Sequence, residues 1–198
     1  MLMVGFNRRF SRYAREAKRH LNGRINPLVI HYRMNAGYLQ PDHWLHGVEG
    51  GGRIIGEACH IIDLFSYLVD ARVRSVTSTS LDPRTSSVLA DDNRIILLSY
   101  EDGSVAVLEY FAIGSKAFPK ESLEIHFDEK TIVVDDYKSI TGYGVVVEEI
   151  RSRESDKGQF EELVAIEEVL RGAKGELPIP LESLFETTAV TIAAQQSR

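Results

Sequence analysis

The chain has 198 residues, 43% apolar and 26% charged, with a formal net charge of −6. This composition suits a folded domain with its own core and excludes a disordered segment, and no apolar run approaches the roughly 18 to 20 residues that span a bilayer. The single cysteine excludes an internal disulfide and a cysteine-based zinc site, and it fits a reducing, cytoplasmic setting.

Residues 2–6 are short and apolar and predict a strand. They are no signal peptide, because the run is too short and the charges follow it. A lone strand is not stable, so residues 1–9 read as a remnant or crossover from a missing domain, and residues 10–198 as one domain. Residues 11–21 predict a helix ended by Asn22-Gly23. The first 24 residues are basic, with Arg8, Arg9, Arg12, Arg15, Lys18, Arg19 and Arg24 against Glu16. Phe10, Ala14, Ala17 and Leu21 make the helix's apolar stripe, which assigns the arginines to a solvated face. No recognition motif accompanies them, so no nucleic-acid partner is expected.

Residues 28–34 predict a strand, and residues 35–50 a loop containing the only tryptophan, Trp44. Residues 54–69 predict a strong helix, with Ile54, Ile55, Ala58, Ile61, Ile62, Phe65, Leu68 and Val69 at spacings of three and four. Further strands are predicted over 73–80, 93–100, 104–111, 123–127, 131–135 and 145–150. Two helices close the chain, over about 157–171 and 181–194. The second has Leu181, Leu184, Phe185, Thr188 and Ile192 as its expected inner stripe. Hairpin-linked strands flanked by grouped helices indicate an α+β domain, an open and predominantly antiparallel sheet with helices on one face. No Gly-x-Gly-x-x-Gly follows a strand, and no strand leads into Gly50-Gly51-Gly52, so a phosphate cradle is discounted.

Glu57, His60 and Asp63 fall three apart on the predicted helix, where residues share a face. Two carboxylates around an imidazole suit general acid/base chemistry, a partial metal site or a solvated stripe. With His43 and His46 they also form an oxygen/nitrogen set. Cys59 reads as a small buried residue, not a nucleophile.

The glycines followed by Glu57-Ala58-Cys59-His60-Ile61-Ile62-Asp63-Leu64 resemble the second, substrate-side domain of the Gfo/Idh/MocA family of NAD(P)-dependent oxidoreductases. Val4-Gly5-Phe6-Asn7-Arg8-Arg9-Phe10 resembles that family's crossover from its dinucleotide-binding domain. Trp44, and the ending of helix, Ile-Pro link and closing helix, fit as well. The variant Gly-Arg-Ile-Ile-Gly-Glu-x-Cys-His is also similar to members fused behind a zinc-type alcohol dehydrogenase-like region. The resemblance implies a fold like the C-terminal domain of glyceraldehyde-3-phosphate dehydrogenase, with NAD or NADP held mainly by an N-terminal Rossmann domain absent from this sequence. It further implies a sugar, polyol or nucleotide-sugar substrate between the domains, and homo-oligomers formed through the sheet face.

By the resemblance, His60 falls on the family's catalytic histidine, with Glu57 as orienter or base. Asp63, Asn35 and Tyr38 are candidates for substrate contact, and Asn7 and Arg8 for the cofactor side. No metal is expected. The sequence departs from the family pattern at Gly56, where an aspartate is usual, and Ala58, where a glycine is usual. Two other readings stay open: a catalytically silent oligomerisation or ligand-binding module, and a metal-dependent hydrolase built on the Glu/His/Asp set.

Overall fold

The computed structural model describes residues 2–173 and 175–197. Seven strands form one sheet in the order β2-β3-β4-β1-β5-β6-β7. They are β1 (Val29–Asn35), β2 (Val73–Ser80), β3 (Arg94–Tyr100), β4 (Val105–Phe111), β5 (Glu121–Phe127), β6 (Lys130–Asp135) and β7 (Ser139–Tyr143). Only β1 and β4 pair in parallel; every other neighbouring pair is antiparallel. The α+β class, with an open and mainly antiparallel sheet, is the one expected from the pattern.

Strand alternation sets the two faces. Ile30, Tyr32 and Met34 of β1, Ile96 and Leu98 of β3, Leu108 and Tyr110 of β4, and Leu123 and Ile125 of β5 are buried together. Their odd-numbered or even-numbered neighbours turn to the other face, where Val29, Ile95 and Leu97 stay exposed. The buried face is covered by α1 (Arg12–Leu21), by α2 (Cys59–Val69) and by α4 (Leu181–Gln196), with α3 (Gln159–Leu170) beside the N-terminal turn. Ser11 caps α1 by accepting from the Ala14 N–H at 3.1 Å, and α2 stops at Asp70 in the left-handed conformation. No helix among the described residues is long and apolar enough to cross a membrane.

Four expectations need correction. Residues 2–6 form no strand: they turn on themselves, with Phe6 N–H donating to the Val4 carbonyl and Asn7 N–H to that of Gly5. They are followed by a 3-10 turn, Asn7–Phe10. Residues 145–150 are irregular, and the last strand is β7 instead. The apolar run after it crosses α1, where the Glu148 N–H donates to Glu16 at 2.7 Å. The inner face of α4 is Leu184, Thr187, Val190, Thr191 and Ala194, while Leu181, Phe185 and Ile192 are exposed. Finally, Arg8 and Arg9 do not lie on a solvated face; both are buried.

Candidate active site

The lead into α2 explains the glycine run. Gly51 and Gly52 have positive φ, a conformation glycine adopts without steric cost. A side chain on Gly50 would come within 2.4 Å of the Leu45 backbone. The run therefore serves a tight loop crossing, not a phosphate. It opens into a π-helical turn, Ile54–Ala58, before α2 proper. Glu57 lies inside this turn while His60 and Asp63 lie in α2, and the packing around each gives the three side chains separate environments.

Glu57 is held by Arg53, whose Nε lies 2.8 Å away, and by the Tyr110 hydroxyl, which donates to it. Arg53 also donates to the carbonyls of Gly37, at 2.6 Å, and Ala36, so it ties the loop after β1 to the start of the helix. Asp63 is fully buried and takes two hydrogen bonds from Arg9, at 2.8 and 2.6 Å. Burial pushes its pKa up to about 6 against the lowering effect of Arg9. It is an ion pair beneath the N-terminal 3-10 turn, and it does not line the cleft beside His60.

That cleft has a volume of about 610 Å3 and is walled by Asn7, Arg8, His43, Trp44, Leu45, Arg53, Glu57, His60, Lys120 and Lys157, among others. His60 Nδ1 is buried without a hydrogen-bond partner, and the Phe6 ring meets the imidazole edge-on at 5.8 Å. Burial, and then the charge of Arg8, lower the His60 pKa to about 4. The ring is therefore neutral at physiological pH and able to accept a proton.

Behind the cleft wall, Arg8 and Lys157 meet at the buried carboxylate of Glu121, at the start of β5. Arg8 donates to it through Nε at 2.9 Å and Nη2 at 3.2 Å, and Lys157 and the Tyr32 hydroxyl donate as well. Burial opposes its ionisation, but the bonds and charges of Arg8 and Lys157 outweigh this and hold its pKa at about 2. Asn7 donates to the Lys157 carbonyl at 2.9 Å.

Of the residues named from sequence, the cleft brings together His60, Glu57, Asn7 and Arg8. Asn35 lies elsewhere, donating to the carbonyls of Ser115 and Phe118. Tyr38 is half exposed over a small recess with Leu89 and Ile113. His46 bonds Asp92 at 3.0 Å, and among the described residues no three His, Cys, Asp or Glu side chains form a group that would hold a metal. Glu121, Lys157, Lys120, Arg53 and Tyr110 were not anticipated. Glu121 carried a readable signal: it stands in phase with Leu123, Ile125 and Phe127, at an inward position of its strand.

Gly56 also has a structural reason. A Cβ there would lie 2.7 Å from Leu45 Cδ1. The leucine fills the space that an aspartate at this position would need.

A nicotinamide dinucleotide does not fit the residues present as its main site. Among the described residues no glycine-rich turn joins a strand to a helix, and Asn7 Nδ2 and Arg8 Nε and Nη2 are committed to the Lys157 carbonyl and Glu121, leaving Arg8 Nη1 as a single donor, too little to hold a dinucleotide.

An open, mainly antiparallel sheet backed by helices, with a histidine-bearing cleft beside the N-terminal turn, is the architecture on which the comparison with known domains rests. The family model for the GFO/IDH/MocA C-terminal domain matches residues 15–133, and the chain belongs to that family. No curated protein sequence matches significantly. Among solved structures, the chain is similar to UDP-N-acetylglucosamine 3-dehydrogenase GnnA from Acidithiobacillus ferrooxidans (TM-score 0.73, 14% identity, 98% of this chain and 60% of that one). It is also similar to a protein assigned as a myo-inositol dehydrogenase from Sinorhizobium meliloti 1021 (TM-score 0.75, 18% identity, 99% and 62%). A third is a protein assigned as an NADPH-dependent oxidoreductase from Desulfitobacterium hafniense (TM-score 0.72, 18% identity, 98% and 61%). At these identities the likeness is one of fold. The chain spans about three fifths of the length of these structures.

Proposed function

We propose that the chain is the substrate-side domain of an NAD(P)-dependent oxidoreductase acting on a sugar, polyol or nucleotide-sugar. The observation that carries this is His60: a neutral imidazole with an unpartnered ring nitrogen, in a polar cleft beside the crossover turn. Its role is to take the hydroxyl proton while the carbon bearing that hydroxyl gives up hydride. The hydride acceptor is a nicotinamide held by a dinucleotide-binding domain outside this sequence. Glu57 supports His60 through its charge, not by a direct bond. The exposed sheet face, with Val29, Ile95 and Leu97, is the surface through which copies associate.

The test is hydride transfer by the polypeptide or complex that carries the dinucleotide-binding domain, assayed on a panel of sugars and polyols. His60→Ala is expected to lower kcat by roughly 100-fold or more, the usual contribution of a positioned general base. Unchanged turnover would remove the assigned role. One observation favours a second reading, a catalytically silent ligand-binding or oligomerisation module. Leu45 occupies the place of the family's aspartate, and His60 has no carboxylate bonded to it. Ligand binding without turnover in the complete protein would decide for that reading.

A further inference from the structure

The chain as a whole is acidic, yet its cleft carries an excess of positive charge. Arg8 and Lys157, with side chains 8% and 18% exposed, share the single carboxylate of Glu121. Tyr32 adds a further donor to that carboxylate. One negative charge therefore balances two positive ones. Arg53 is matched by Glu57. Lys120 borders the cleft with an exposed side chain and, among the described residues, no ion pair. The nearby acids are engaged elsewhere: Asp136 with Lys138, Asp156 with Arg12, and Asp63 with Arg9. His43 and His60 complete the titratable lining. Withdrawing net positive charge from water is costly without a counter-ion. Low-dielectric walls also concentrate the field of such a cluster on whatever enters.

We propose that this cleft takes a substrate bearing an oxyanion, a carboxylate or phosphate group on a sugar or polyol, read by Lys157, Arg8 and Lys120. The inference rests on the substrate-side reading above and chooses among the substrates that reading leaves open. Donors remain for the anion. Arg8 commits Nε and Nη2 to Glu121 and, among the described residues, makes no hydrogen bond through Nη1. Lys157 commits one of its three N–H groups, and Lys120 none. Gln159, in the first turn of α3, also borders the cleft, where the positive end of the helix dipole adds to the field.

The arrangement ties substrate charge to the base. Arg8 and Lys157 are among the groups that lower the His60 pKa. An anion seated against them offsets their charge, so the imidazole becomes more basic once the substrate is bound.

The experiment is calorimetric titration of the chain with glucose, glucuronate, glucose 6-phosphate, NAD and NADP, with His60 titrated in parallel by NMR. Glucuronate, glucose 6-phosphate or both are expected to bind about tenfold or more tighter than glucose, a difference of about 1.4 kcal/mol. Which of the two binds tells carboxylate from phosphate. The preference should fall to about twofold in the Lys157→Met, Lys120→Met double variant and by an intermediate factor in Lys120→Met, whose exposed side chain makes no contact that folding needs. The charged ligand should raise the His60 pKa by about one unit or more, and glucose should leave it unmoved. Four results would each overturn the proposal: equal binding of neutral and charged sugars, a preference that survives the double variant, no binding of any sugar, or binding only of the dinucleotides at these lysines. The enzymatic reading fails separately. If His60→Ala abolishes turnover of a neutral sugar in the complete protein, that reading stands and only the oxyanion is lost.

Discussion

Glu121→Gln tests the physics of the buried carboxylate behind the cleft most directly. The substitution keeps the shape of the side chain and removes its charge, leaving Arg8 and Lys157 to face a neutral amide. Removing one partner of a buried ion pair costs about 3 to 5 kcal/mol, because the remaining charge is stranded. The titration of Glu121 gives a second route to the number. Its pKa falls from 4.5 to about 2 on folding, which corresponds to about 3 kcal/mol. Because the folded pKa is the lower one, this stability is fully present above the unfolded value near 4.5 and is lost as pH falls toward 2. At about pH 7, with a urea m-value of about 2 kcal/mol/M, the unfolding midpoint of Glu121→Gln should drop by about 1.5 M. Near pH 2.5, where the native carboxylate is itself partly protonated, the gap between the two proteins should shrink to about 1 kcal/mol. Equilibrium urea unfolding followed by circular dichroism measures both. A midpoint displaced by less than about 0.5 M at neutral pH, or a difference that does not change with pH, would refute the reasoning.

Gly158→Ala should destabilise by more than about 3 kcal/mol in the same assay, because its φ is +84° and a Cβ would lie 2.3 Å from the Ser11 nitrogen and 2.7 Å from the Asn7 carbonyl oxygen, backbone atoms that cannot rotate away. Gly56→Asp should cost about 1 to 3 kcal/mol by overpacking against Leu45. Combined with Leu45→Ala it should cost less than the two changes added, and simple additivity in a double-mutant cycle would show that the two positions do not share one space. The Cys59 thiol, pushed up to about 11 by burial, should react with a thiol reagent at about pH 8 much more slowly in the folded protein than in urea; equal rates would place it at the surface.

The parts of the fold legible in the sequence are those where one pattern has one physical solution. The α2 stripe, the strand alternation and the hairpins at Glu101-Asp102-Gly103 and Asp128-Glu129 belong here. Where two solutions were available, the pattern alone did not choose. Both faces of α4 carry apolar groups, and the one that packs is the one with small and branched side chains, Thr187, Val190, Thr191 and Ala194; it brings the helix against α2 and β2, while Phe185 and Ile192 stay outside. Residues 145–150 have the composition of a strand, but β7 already occupies the edge after the left-handed turn at Asp136 and Tyr137. The run therefore lays Val145, Val147 and Ile150 onto the core without pairing.

The candidate site divides along the same line. His60 was legible because it lies inside a local motif. The spacing argument that joined it to Glu57 and Asp63 could not show that Glu57 sits within a π-helical turn held by Arg53, or that Asp63 is taken by Arg9. Besides Glu57, the charges that act on His60 come from distant parts of the chain: Arg8 from the N-terminal turn, Glu121 from a central strand, Lys157 from the entry to α3. Their signals were weak singly, a charge in a basic terminus, a carboxylate at an inward strand position, a lysine before a glycine. Only the fold makes them one constellation, with Arg8 and Lys157 separated by about three quarters of the chain yet sharing one carboxylate. The departure at Gly56 follows from this too. With Leu45 packed over the helix start, no aspartate stands beside His60; burial lowers its basicity first and the charge of Arg8 next, so what neutralises Arg8 and Lys157 moves it.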